Sequence, residues 1–250
     1  DWFDAVCHAF ATMALGGFST HDASVGFFDS VLIEIVLIAF MLISAMNFSR
    51  HFIAWQQKSL RTYATDAEAK AMLAIVGLST VGLALFIWYH GTYDSFWTSL
   101  RHVAFNLVSI ATDCGFVSQD YAVWPVLAPM WILMLSCYCA NTGSTGGGIK
   151  MFRTLVLFRQ AGRELLMLVH PQAVRPVRIG GHVVKNQIVF AVLAFVDQQV
   201  DALLGGRPPE VQHGALRGAG VGDGGGIDGV ADHLGLDAPA GDEVGRELGA

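Results

Sequence analysis

The sequence predicts an all-α membrane protein: repeated helix–pore-loop–helix units with re-entrant pore helices, truncated, and followed by a disordered C-terminal tail. Three observations predict it. The 250 residues are 53% hydrophobic and only 14% charged, with a mean hydropathy of +0.48, far from an ordinary soluble composition. Lys and Arg cluster in alternate loops between apolar runs. One polar stretch, "GGFSTHD" at 16–22, is written again 98 residues later as "CGFVSQD" at 114–120.

The formal charge of −6 divides unevenly. Residues 1–196 hold 12 Lys/Arg against 11 Asp/Glu, whereas 197–250 hold 3 against 10, together with 14 of the 28 glycines. The acidity belongs to the tail and says nothing about what the apolar part binds. The opening "DWFDAVCHAF", without an initiator Met or a basic n-region, predicts no signal peptide and a start inside something longer.

Along the chain, "WFDAVCHAFATMAL" reads as a short helix, "GGFSTHD" as an irregular return, and 30–49 as an apolar run long enough to span a bilayer, which takes about 20 residues. Residues 50–70 carry Arg50, Lys58, Arg61 and Lys70 against Asp66 and Glu68. A second span covers 71–90 and ends in Trp-Tyr-His, as expected at an interface. A third runs from about Trp124 to Ala140. The basic segment 150–185 comes next, and a fourth apolar stretch starts near Asn186 and breaks off at Val196.

Segments 1–29 and 91–123 are poor in Lys and Arg but rich in Asp, so they are expected outside and the basic loops in the cytoplasm. Both ends of 91–123 then lie on one side. Its middle, "FWTSLRHVAFNLVSIA", is nevertheless apolar and helix-like, which predicts a re-entrant pore helix with an irregular return, "TDCGFVSQD". Such backbone is tolerated at membrane depth only inside protein or along a watery cavity. The duplicated stretch is the same loop in two units, and an internal repeat points to a site at the repeat interface.

A pore helix aims the negative end of its dipole at the membrane centre, which favours a cation. The return loop then exposes carbonyls, and rings of carbonyls can replace the hydration shell of K⁺. Gly17 and Gly115 suit close approach of chain and ion. Phe18 and Phe116 are expected to pack behind the loops. A single "GF" after a helix is more often a simple C-cap; two copies at equal spacing, each before an inward span, favour the ion site.

"ANTGSTGGGIK", residues 140–150, should break the third span. It is not a nucleotide-binding P-loop, since Ile149 displaces the lysine and Met151 replaces the Ser/Thr. An intramembrane gate and a hinge of small residues between packed helices are the two readings. Glu34, four residues into its span, is expected to snorkel or hydrogen-bond locally. His8, His90 and His102 read as interfacial without assigned chemistry. Cys7, Cys114, Cys137 and Cys139 read as buried free thiols, because C-x-C in a membrane run lacks metal-site spacing. No spacing argues for catalysis, so an enzyme is not expected.

"GGFSTHDAS" with "FFDS", "ATDCGF" with "DYAVWP", "GSTGGGIK" with the basic stretch after it, and "LVHPQAV" together resemble the TrkH-type subunit of bacterial Trk potassium uptake systems, in the Trk/Ktr/HKT superfamily. The likeness covers about residues 1–195. It implies four helix–pore-loop–helix repeats around one ion path. This chain would hold a partial repeat at 1–57, a cytoplasmic loop at 58–70 and a complete repeat at 71–158. Beyond these would come a basic cytoplasmic linker at 159–185, the start of a further repeat at 186–196 and a Gly/Asp-rich tail at 197–250, expected to be read out of frame. It implies ion-binding backbone at Leu15, Gly16, Gly17 and Phe18 and at Asp113, Cys114, Gly115 and Phe116. The gate falls on Gly143, Ser144, Thr145, Gly146, Gly147, Gly148 and Lys150. No cofactor is implied, K⁺ being the transported ion. The implied partners are membrane lipid, a second copy in a homodimer and a cytoplasmic nucleotide-binding regulatory subunit, with no nucleic acid. The implied location is the bacterial inner membrane, crossed several times. "CYCANTG" stands where the family has small glycine-rich residues, and the likeness stops after Phe195. A non-conducting fragment of such a transporter and an unrelated solute carrier are the competing expectations.

Overall fold

The computed structural model describes residues 1–59, 61–170 and 176–203. The chain divides into two units, 1–197 and 198–250. Of the second, only the last residues of a helix are described, so the expectation of a disordered tail lies outside the described residues.

Helix α1 (Trp2–Ala14) starts where the Asp1 carboxylate accepts from the Trp2 amide. It stops at Leu15, whose left-handed backbone (φ 52°) turns its N–H onto the carbonyls of the last turn. A short 3₁₀ turn (Ser24–Phe28) leads into α2 (Val31–Ser44). The expected span at 30–49 is shorter than read: after Ser44 the chain breaks, Asn47 caps a new helix by accepting from Ser49 N–H at 2.8 Å, and α3 (Phe48–Gln57) leaves at 97°. Part of the expected loop 58–70 is helical, in α4 (Arg61–Thr65) and the first turn of α5 (Ala67–Tyr89).

Among the described residues α5 is the one helix long and apolar enough to cross a membrane; α2 and α3 pass that test only if the bent pair counts as one span. Helix α6 (Phe96–Ala111) covers the apolar stretch of the expected pore helix, with the Ser95 hydroxyl accepting from Trp97 N–H at its start. Helix α7 (Leu127–Ser136) is well short of the span expected at 124–140, because the chain turns irregular at Cys137 and stays so to Lys150. Helix α8 (Met151–Val169) comes next, then a two-stranded hairpin, β1 (Arg178–Ile179) with β2 (His182–Val183), and α9 (Asn186–Leu203). The hairpin is the one sheet among the described residues. The helix runs on past the end of the apolar stretch at Val196, to Leu203, since Asp197, Gln198 and Gln199 leave the helical backbone unhindered.

One core joins α2, α5, α6 and α7, with Met41, Met72, Ile87, Phe105, Leu107, Ile132 and Leu135 fully buried. A smaller cluster of Val156, Val177, Val184, Val189 and Val192 seats the hairpin between α8 and α9. Outside the main core the pattern inverts: Leu32, Leu78, Met130 and Leu133 are largely exposed on α2, α5 and α7. So wide an apolar surface needs an apolar surrounding.

Candidate functional site

Helices α1 and α6 end in the same way, and the loops after them meet. At the first Gly-Phe loop, Leu15 N–H donates to Thr12 O at 3.2 Å and Gly16 N–H to Ala11 O at 2.8 Å. At the second, Asp113 N–H donates to Ile110 O at 3.0 Å and Cys114 N–H to Ser109 O at 2.8 Å. Every donor and acceptor in the second set lies 98 positions after its counterpart in the first. Leu15 and Asp113 are both left-handed, at φ 52° and 64°, and so are Gly17 and Gly115, at 65° and 90°. Two alternating left-handed residues coil the chain so that successive carbonyls need not pair with amides of the same loop.

The loops touch through their glycines. A Cβ on Gly17 would overlap the Cys114 carbonyl oxygen. Further along, Gly26 N–H donates to Val117 O at 3.0 Å, and Val117 N–H donates to Ser24 Oγ at 3.2 Å. The expected filter residues 15–18 and 113–116 therefore lie side by side.

Side chains on the two preceding helices hold the loops from behind. His8 Nε2 lies 2.9 Å from Ser19 Oγ, and the His8 ring stacks on Phe116 of the other loop at 5.6 Å between centroids. Asn106, 98 positions after His8, donates to Ser118 Oγ at 3.3 Å and accepts from Ser118 N–H at 3.1 Å. His8 and His102 are buried, not interfacial as read from sequence, and Tyr93 stacks on His102. The polar residue at one fixed offset on both helices was a signal that sequence reading passed over.

Phe116 packs behind its loop as expected, fully buried, but Phe18 does not: it is 81% exposed. Of the four free cysteines, Cys114 and Cys139 are buried, Cys7 is half-buried and Cys137 is exposed, which corrects the uniform expectation.

The glycine-rich loop lies against both Gly-Phe loops. A Cβ on Gly146 would stand 3.1 Å from Thr112 O and 3.6 Å from a Leu15 methyl; one on Gly147 would stand 3.3 Å from Asp113 Oδ2. That carboxylate oxygen is buried and has no hydrogen-bond partner among the described residues. The loop is pinned to the α2–α3 break, where Asn141 N–H donates to Ala45 O at 3.0 Å and Phe48 N–H to Gly143 O at 3.1 Å. Thr145 Oγ donates to Met13 O and Ser44 O, both at 3.4 Å. Lys150 Nζ closes the loop on itself by donating to the carbonyls of Gly146 and Ser144. Gly143 to Gly148 and Lys150 thus gather beneath the paired loops.

Glu34 also departs from expectation. It neither snorkels nor bonds locally but takes both prongs of Arg101 on α6, at 2.9 Å each. Complementary charges in two apolar helices were visible in the sequence, but their partnership was not.

Such an arrangement offers uncharged carbonyl oxygens and buried hydroxyls, with no set of three or more His, Cys, Asp or Glu able to hold a metal ion among the described residues. Main-chain carbonyls in such a loop are able to replace a weakly held hydration shell.

A family model described as "TrkH: Cation transport protein" matches residues 1–197. The Trk system potassium uptake protein TrkH of Halomonas elongata is 43% identical over 201 residues, 80% of this chain and 41% of its own length. The protein of that name from Escherichia coli K12 is 40% identical over 195 residues, 78% of this chain and 40% of its own length. The crystal structure of the potassium transporter TrkH from Vibrio parahaemolyticus superposes with a TM-score of 0.76 at 40% identity, over 78% of this chain and 42% of that one. The chain therefore spans about two fifths of the length of the relatives it matches.

Proposed function

We propose, from the premise that this chain belongs to the TrkH family of cation transport proteins, that it supplies two of the carbonyl loops of a potassium uptake pathway. One observation carries the reading: two loops with the same αL–x–αL backbone, 98 residues apart, in contact at Gly17 and Cys114. In a potassium filter the ion is held by main-chain oxygens. A repeat that preserves backbone angles while its side chains diverge fits that use better than it fits a packing motif. The chain is a transporter segment and not an enzyme, with K⁺ as cargo and no resident cofactor.

The finer elements belong to the same proposal. Helices α1 and α6 enter and leave the bilayer on one side, and α2, α5 and α7 cross a bacterial inner membrane, their exposed leucines and methionines facing lipid. The glycine-rich loop is the barrier below the filter; its contacts with Thr112, Asp113 and Leu15 support that role. A second copy and a cytoplasmic nucleotide-binding subunit are the expected partners.

The test places residues 1–197 into the matched span of the Escherichia coli relative, expressed in a strain without potassium uptake. Growth at low external K⁺ is expected, and Gly115→Ser should abolish it or change the preference for K⁺ over Na⁺. A chimaera that takes up no K⁺, or uptake indifferent to substitution of both Gly17 and Gly115, would overturn the reading.

A further inference from the structure

Arg101 stands in the second turn of α6, and Glu34 in the first turn of α2. Arg101 Nε donates to Glu34 Oε2 and its terminal nitrogen to Oε1, both at 2.9 Å, while the same terminal nitrogen donates to Asp29 Oδ1 at 2.8 Å. Glu34 is only 3% exposed, and Asp29 is on the surface. One guanidinium therefore ties three pieces together: α6, which delivers the second Gly-Phe loop; α2; and the end of the segment running out of the first loop. Ninety-eight positions away the counterparts are Phe3 and Ile132, neither of which can pair. The repeat does not require this bridge. It belongs to the seam between the two units.

A buried ion pair is weak support for stability, because desolvation consumes much of its attraction. What a bidentate Arg–carboxylate pair does supply is geometry: two parallel hydrogen bonds fix distance and rotation together. From Arg101 to Thr112 the helix extends about 16 Å, so a tilt of about 5° at the bridge moves the loop by more than about 1 Å. A binding constellation tolerates about half of that. Another link across the seam joins the two return segments, at Gly26, Ser24 and Val117.

We propose that the Arg101–Glu34–Asp29 bridge is the positioning device that holds the two Gly-Phe loops in register, and so sets the spacing of their carbonyls. The consequence for ion selectivity rests on the potassium reading; the register itself does not. Cys114 and Cys139 are native reporters, since both residues are buried, the first in the second Gly-Phe loop and the second just before the glycine-rich loop.

The experiment tracks maleimide labelling of the purified full chain in detergent micelles by peptide mass spectrometry. Arg101→Gln leaves Glu34 buried and unpaired and should speed labelling of Cys114 by about tenfold, with Cys139 within about twofold. Arg101→Lys keeps the charge but loses the fork, and should fall between. The double variant Glu34→Leu with Arg101→Met removes the buried charges, so it guards against simple misfolding; it should melt within a few degrees of the parent yet keep Cys114 fast. An unchanged Cys114 rate in the double variant, or Cys114 and Cys139 rising in step, overturns the proposal. In the Escherichia coli chimaera the same double variant should lower the K⁺-over-Na⁺ uptake ratio by about fivefold or more, and an unaltered ratio overturns the claim on carbonyl spacing. If the unsubstituted chimaera carries no K⁺, the potassium reading fails while the thiol rates still judge the bridge.

Discussion

The two Gly-Phe loops share a backbone and little else. Leu15 and Asp113 occupy the same left-handed position, one apolar and one acidic; His8 and Asn106 hold the same stretch of chain with different chemistry; Phe116 is buried and Phe18 is exposed. A repeat kept for packing would preserve its side-chain volumes and let its dihedral angles drift. Here the reverse holds, so the backbone is the part that has a task and the side chains are local solutions for holding it in place. The second loop is enclosed by the first unit, whereas the first loop faces outward.

The widest gap between the loops should come from their aromatic residues. Phe116→Ala removes a fully buried ring wedged against His8 and should cost about 3–5 kcal/mol, whereas Phe18→Ala should stay within about 0.5 kcal/mol. Thermal melting of the purified chain measures both, and equal losses would remove the asymmetry.

Next come the glycines. Both need a positive φ, so either alanine variant carries strain of about 1 kcal/mol. At Gly17 the new methyl also meets the Cys114 carbonyl, while at Gly115 nothing stands within 4 Å. Gly17→Ala should therefore destabilise more than Gly115→Ala, by at least about 1 kcal/mol. The opposite order would mean that the loops do not touch as described.

The smallest difference is expected at the residues behind the loops. Asn106→Ala abandons the buried Ser118 amide and hydroxyl and should cost about 1–3 kcal/mol. His8→Ala frees the Ser19 hydroxyl, which can turn to water, and the Asp4 carbonyl at the first turn of α1, and loses the ring stacked on Phe116. Hydrogen exchange at Ser118 should accelerate in the first variant and stay slow in the second.

Much of this was legible in the chain. The apolar period placed α1, α5 and α6 closely, because nothing long-range competes with their caps at Asp1, Asp66 and Ser95. The glycine spacing placed both loops. The elbow after Ser44 was not legible: "ISAMNFS" reads as one more stretch of span, and Asn47 becomes a cap only because the glycine-rich loop supplies partners for Ala45 and Phe48. The end of α7 at Ser136 has the same origin, since Ile149 N–H and Met151 N–H return to the carbonyls of Cys137 and Ala140. The bridge at Arg101 was hidden because its partner lies 67 residues away. Local pattern reports what a segment can become, and these features were chosen by a distant segment.

The elbow at 45–47 has a mechanical meaning. Ala45 O and Phe48 N–H are the loose ends that any broken helix leaves, and both are tied off by the glycine-rich loop, through Asn141 and Gly143. A loop lifted out alone would strand both groups in apolar surroundings, at about 1–3 kcal/mol each. A loop that moves with the elbow strands neither. Displacement of the loop is thus geared to rotation of α3, as a crank is geared to its shaft, and torque applied on the side of α3 has a path of two main-chain hydrogen bonds to the floor of the paired glycines.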